Sequence, residues 1–106
     1  MESDALSHVR QLREDMLNEG LRASPTLPLR MVTALRAYIM DGVEPGSFLT
    51  SVICNDLRGS IFSADGDNRT RIEQFVRLFN DYAPGPCWGS KDRMTRWMEM
   101  LRAEGE

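Results

Sequence analysis

Ser51-Val52-Ile53-Cys54-Asn55-Asp56-Leu57-Arg58-Gly59-Ser60 places an amide and a carboxylate side by side in a stretch whose apolar spacing is helical. On a wheel of about 100° per residue with Phe48 at zero, Leu49, Val52, Ile53, Leu57 and Ile61 spread over an arc of about 220°. The spacing predicts one helix from about Gly46 to Phe62. In that helix Asp56 falls near the middle of the apolar arc at about 80°, and Asn55 lies on its edge at about 340°, beside the bare backbone of Gly59 at about 20°. A buried carboxylate needs a partner. Candidate supports are Arg30 or Arg36 on the preceding helix, the indole N–H of Trp88, or the free N–H groups that open the last helix. Two roles remain open for Asp56: a structural cap or ion pair, or a ligand contact shared with Asn55 in a pocket walled by Trp88.

Outward from this segment the pattern stays helical. Leu6, Val9, Leu12, Met16 and Leu17 predict an amphipathic helix from Ser3 to about Asn18, with Gly20 as its stop. Pro28 suits the start of a second helix carrying Leu29, Val32, Leu35, Tyr38 and Ile39, ended by Asp41-Gly42. Asp65, Asp67 and Asn68 have the side chains that cap a helix N-terminus, and Ile72, Phe75, Val76, Phe79 and Tyr82 form the stripe that follows. After the loop Ala83-Pro84-Gly85-Pro86-Cys87-Trp88-Gly89, Ser90 can cap a fifth helix with Met94, Trp97, Met98 and Leu101 on one face. No window alternates as a strand would. The expectation is an all-α, compact bundle of about five helices in a single domain over residues 1–106, with residues 1–24 an N-terminal helix and 28–103 the core.

The composition excludes several functions. A chain of 106 residues with net charge −3 and 42% hydrophobic residues can bury one core and has no basic footprint for nucleic acid. Arg69, Arg71 and Arg77 are the one candidate recognition stripe, diluted by Asp65, Asp67 and Glu73. No apolar run is long enough for a membrane span, and the opening residues lack a secretory core, so the expected location is cytoplasmic. Cys54 and Cys87 read as reduced structural thiols, and neither they nor His8 make a metal pattern. No cofactor is expected. Ser51, Ser60 and Ser90 lack a histidine partner, and no phosphate-cradling glycine motif occurs, so the chain is not expected to be an enzyme. Twelve of the thirteen basic residues are Arg, whose planar fork suits anions.

The motifs Gly42-x-x-Pro45-Gly46-x-Phe48-Leu49-x-x-Val52-x-x-Asn55-Asp56-Leu57, Ala64-Asp65-x-x-Asn68 and Pro84-x-x-Cys87-Trp88-Gly89-Ser90 resemble a family of small proteins encoded by tailed bacteriophages and prophages. The resemblance spans roughly residues 28–98 and leaves the first helix outside. It implies an accessory protein in the host bacterial cytoplasm, of a kind that often disables host defence. Combined with the polar pair, it leads to the expectation of a non-enzymatic protein that sequesters a small polar ligand such as a nucleotide-derived immune signal. Asn55 and Asp56 would meet its base or ribose, Trp88 would stack, and Arg36 or Arg69 would meet phosphate. The alternative is a helical adaptor or inhibitor that binds a host or phage protein. A homodimer is compatible with either.

Overall fold

The computed structural model describes residues 2–105. It contains α1 (Glu2–Ala23), α2 (Leu29–Asp41), α3 (Ser47–Ile53), α4 (Leu57–Ser63), α5 (Gly66–Arg69), α6 (Ile72–Tyr82), a 3-10 turn (Gly85–Cys87) and α7 (Lys91–Gly105). The all-α class is as expected, and there are seven α-helices among the described residues, slightly more than the roughly five expected. The single helix over 46–62 is two short helices, α3 and α4, meeting at Asn55-Asp56. The caps before α6 form a separate turn, α5, and α1 runs through Gly20 to Ala23.

The core is made by part of the predicted stripes, because Leu6, Val9, Leu12 and Met16 of α1, with Leu29 and Val76, are exposed. Leu35, Tyr38 and Ile39 of α2, Leu49 and Ile53 of α3, Phe75, Leu78 and Phe79 of α6, and Met94, Trp97 and Leu101 of α7 are buried together. Helix α1 packs on α2 and α6, α2 on α7, and α3 on α4 and α6. Phe48 meets Phe75 edge-on at 5.1 Å, a favourable arrangement of ring quadrupoles. The Cα radius of gyration, 13.5 Å, fits one domain of this length.

The loop between α6 and α7 is tied to this core. The Tyr38 hydroxyl donates to the Cys87 carbonyl at 2.6 Å, and the Trp97 indole N–H donates to the Tyr38 carbonyl at 3.3 Å. Trp88 stacks on Phe79 with ring centroids 5.8 Å apart. Ser90 caps α7 as expected, its Oγ accepting from the Arg93 N–H at 3.1 Å. No helix among the described residues is long and apolar enough to cross a membrane.

Candidate functional site

The Asn55-Asp56 pair is a stop followed by a start. Asn55 has φ 61°, the left-handed conformation that asparagine tolerates better than most residues. Its N–H donates to the Val52 carbonyl at 3.0 Å, and the Asp56 N–H donates to the Ser51 carbonyl at 2.8 Å. These two bonds form a Schellman motif that closes α3. A third α3 carbonyl, that of Ile53, accepts from the Gly89 N–H at 2.7 Å, which fastens the Trp88 loop to the same helix end. Asp56 then opens α4: its Oδ1 accepts from the Gly59 N–H at 2.9 Å.

The break overturns the wheel argument, because residues beyond Asn55 no longer share the axis of those before it. Asp56 is exposed and does not face the core. Its partner is the helix it begins, so none of the three candidate supports is used. Arg30 instead pairs with Asp65, and the Trp88 indole stacks on Phe79. The backbone patch at Gly59 is filled as well. A Cβ there would lie 2.7 Å from Ser51 Oγ and closer still to the Asp56 carboxylate, so glycine is required for the cap itself.

The cap makes a stability prediction. Asp56→Ala should lower stability by about 1 kcal/mol. Asn55→Val should lose at least about 1 kcal/mol through a β-branched residue at positive φ, whereas Asn55→Gly should be neutral or stabilising. Urea midpoints of the three variants check this, and a neutral Asn55→Val would rule out the left-handed stop.

Asn55, Asp56 and Trp88 do come together, around a recess of about 50 Å³ whose other walls are Val52, Leu57, Ile72 and Val76. That volume suits one or two water molecules or a single apolar side chain, well below the roughly 300 Å³ at which small-molecule pockets begin. Arg36 and Arg69 border neither this recess nor the cleft on the far side of Asp56. Arg36 reaches Asn18 Oδ1 at 2.8 Å and Glu14 at 3.7 Å on α1. Arg69 donates to the Ala64 carbonyl at 3.2 Å.

On its other side Asp56 borders a cleft of about 370 Å³ between α3 and α7. Ser51, Thr95, Lys91 and Glu44 contribute polar groups there, and Cys54, Met94 and Met98 give it a soft floor, with the Cys54 Sγ 3.8 Å from the Met94 Sδ. Burial pushes the Cys54 thiol above its ordinary pKa despite the opposing pull of Lys91, so it is not an activated thiolate. Sequence reading passed over Lys91 and Thr95. The available signal was positional: 91, 94, 95 and 98 share one helix face, which carries the chain's only lysine.

The other charged groups serve the fold. Asp65 caps α5 by accepting from the Asn68 N–H at 2.8 Å. That bond and the Arg30 guanidinium hold its carboxyl below the usual range, although burial acts in the opposite direction. Arg71 donates to the carbonyls of Thr26 and Asp67 at 3.0 and 2.6 Å, and Arg77 pairs with Glu73 at 3.1 Å. The recognition stripe is thus engaged within the chain. Among the described residues no three His, Cys, Asp or Glu side chains gather as a metal site. Comparison with known protein families, curated proteins and solved structures gives no match.

Proposed function

We propose that the chain is a non-enzymatic phage accessory protein that binds and sequesters a small polar ligand in the cytoplasm of its bacterial host, a nucleotide-derived immune signal being the leading class. One observation carries the reading: Lys91, the hydroxyl residues Ser51 and Thr95, and the acids Asp56 and Glu44 line one cleft of about 370 Å³ with a methionine floor. Such a cleft is within the size range of small-ligand sites and joins adaptable apolar contact to a few convergent polar groups. Asp56 and the hydroxyls suit a base or ribose. Lys91, at the first residue of α7, suits a phosphate and takes the role first assigned to Arg36 and Arg69. Asn55 and Trp88 lie around the corner of the α3–α4 junction and position it.

Calorimetric titration of the purified chain with a panel of nucleotides tests the proposal. At least one should bind, and Lys91→Ala should weaken it by about tenfold, the usual scale for one phosphate contact in a partly exposed site. No heat from any nucleotide, together with a stable complex with a host protein, would overturn it.

A second reading has its own observation. Leu57 and Phe62 on α4 are 68% and 78% exposed, and Leu57 borders the apolar recess beside Trp88. An adaptor would dock there, inserting one side chain. Leu57→Asp should abolish such a complex while leaving nucleotide binding intact.

A further inference from the structure

A cleft of about 580 Å³ lies between α1, α2 and α7, remote in sequence from the α3–α4 junction. Its polar lining is dominated by Arg10, Arg13 and Arg102, against Asp41 and Glu104. Arg13 is the unusual member. It is only 5% exposed, and its guanidinium carbon sits 5.1 Å from the centroid of the Trp97 ring. A guanidinium has five N–H donors. Among the described residues its one hydrogen bond is a long one, Nη2 to Glu104 Oε1 at 3.5 Å. The Arg13 nitrogens that lack a protein partner are not sealed inside the core and open onto the cleft, while the Trp97 ring holds the guanidinium plane in place.

The neighbouring arginines differ from it. Arg10 is fixed to the end of α2, donating to the Met40 carbonyl at 3.1 Å and to Asp41 Oδ1 at 2.9 Å. Arg102 makes no ion pair among the described residues. Among the described residues the cleft thus holds two guanidinium groups with donor capacity to spare, and its apolar walls come from Leu6, Met40 and Leu101. Of the two carboxylates that line it, Asp41 is engaged by Arg10, and Glu104 lies on the last turn of α7, where a side chain can swing away.

We infer that this cleft is a second binding site, separate from the one proposed above, for the oxyanion group of a small molecule, phosphate or carboxylate, carried on a partly apolar body. Arg13, stacked on Trp97, presents a preorganised fork to two oxygens of the anion. Arg102 closes over it from the surface. The Glu104 carboxylate occupies the Arg13 fork in the free protein and gives way to the ligand.

Calorimetry of the full chain at low salt with AMP, citrate and adenosine tests this, the first two distinguishing a phosphate from a carboxylate source and the third removing the charge. AMP or citrate should bind and adenosine should not. Arg102→Glu, an exposed position whose substitution leaves the core untouched, should weaken the bound anion at least tenfold. Glu104→Gln should tighten it severalfold by removing the negative charge that competes with the ligand for Arg13. Arg13→Lys can loosen the Trp97 contact and perturb folding, so the decision rests on Arg102 and Glu104. Binding of neither anion overturns the inference. So does anion binding that is lost in Lys91→Ala and unchanged in Arg102→Glu, which would return it to the α3–α7 cleft.

Discussion

Gly20→Ala should lower stability by about 2 kcal/mol, or roughly 10 °C of melting temperature, even though alanine is the better helix former by about 1 kcal/mol. Gly20 lies inside α1, where the helix crosses α6. A Cβ at this position would sit 2.7 Å from the Cβ of Tyr82 and 2.9 Å from its Cγ. Both atoms are at the root of the side chain, so no rotamer change relieves the overlap, and the two helices must separate. Separation uncovers Leu17, which is buried one turn earlier on the same face. Gly66 supplies the control: it opens α5, and an added Cβ there meets nothing within 4 Å. Gly66→Ala should be neutral or slightly stabilising. Thermal melts of the two variants decide the matter, and a rise in melting temperature for Gly20→Ala would show that α1 and α6 do not approach this closely.

Gly20 and Asn55 show why part of the fold was legible and part was not. Helices α2, α6 and α7 have apolar stripes bounded by side chains with one local meaning: the prolines before α2, and Ser90 as a cap. Local chemistry alone determines those boundaries. Gly20 was read as a stop because glycine ends helices, but the reason for glycine here is the presence of Tyr82, sixty-two residues away in the chain. No local pattern contains that information. At Asn55-Asp56 the opposite occurred. The stop and start signals are local, an asparagine able to take positive φ followed by an N-capping aspartate, but the apolar spacing runs through them without interruption. Periodicity merged two helices whose axes differ, and so turned Leu57 and Ile61, both exposed, into apparent core. Burial is the reason the wheel gives for Asp56 to need a partner, and Asp56 is exposed; the pair is bonded all the same. Those partners are backbone groups of α3 and α4, which a wheel of side chains does not display.

The same limitation hid Arg13 and Lys91. Arg13 lies at a spacing of four from Leu17 and occupies the buried side of α1, where the Trp97 ring and the Glu104 carboxylate make a guanidinium tolerable. Lys91 becomes interesting only once α3 and α7 are seen to diverge around Asp56. Both residues sit where two helices part, and a single-helix pattern carries no record of a gap between helices.

Raising the pH from about 8 to about 11 should remove roughly 3 kcal/mol of stability through Cys87 alone. Cys87 is fully buried beneath the Trp88 loop, and burial pushes its thiol from the ordinary 9.0 up to about 12, with the nearby Arg13 cation opposing weakly. In the unfolded chain the thiol ionises near its ordinary value, while in the native chain it stays protonated. The unfolded state therefore binds fewer protons above about pH 9, and stability falls as pH rises until the native thiol itself titrates. Tyr38 acts in the same direction. Its phenol is buried, donates to the Cys87 carbonyl, and is raised above its ordinary value of 10.0 first by burial and then by the nearby thiols. Urea denaturation of wild type and Cys87→Ala at the two pH values isolates the effect. Whatever Cys87→Ala costs in packing is the same at both, so the variant should lose about 3 kcal/mol less than wild type between them. Tyr38→Phe should behave differently, with a loss of about 1–3 kcal/mol already present at neutral pH because the buried Cys87 carbonyl is left without its donor. Equal losses in wild type and Cys87→Ala would mean that the thiol reaches solvent in the native state, and that the loop joining α6 to α7 is not held down by Tyr38.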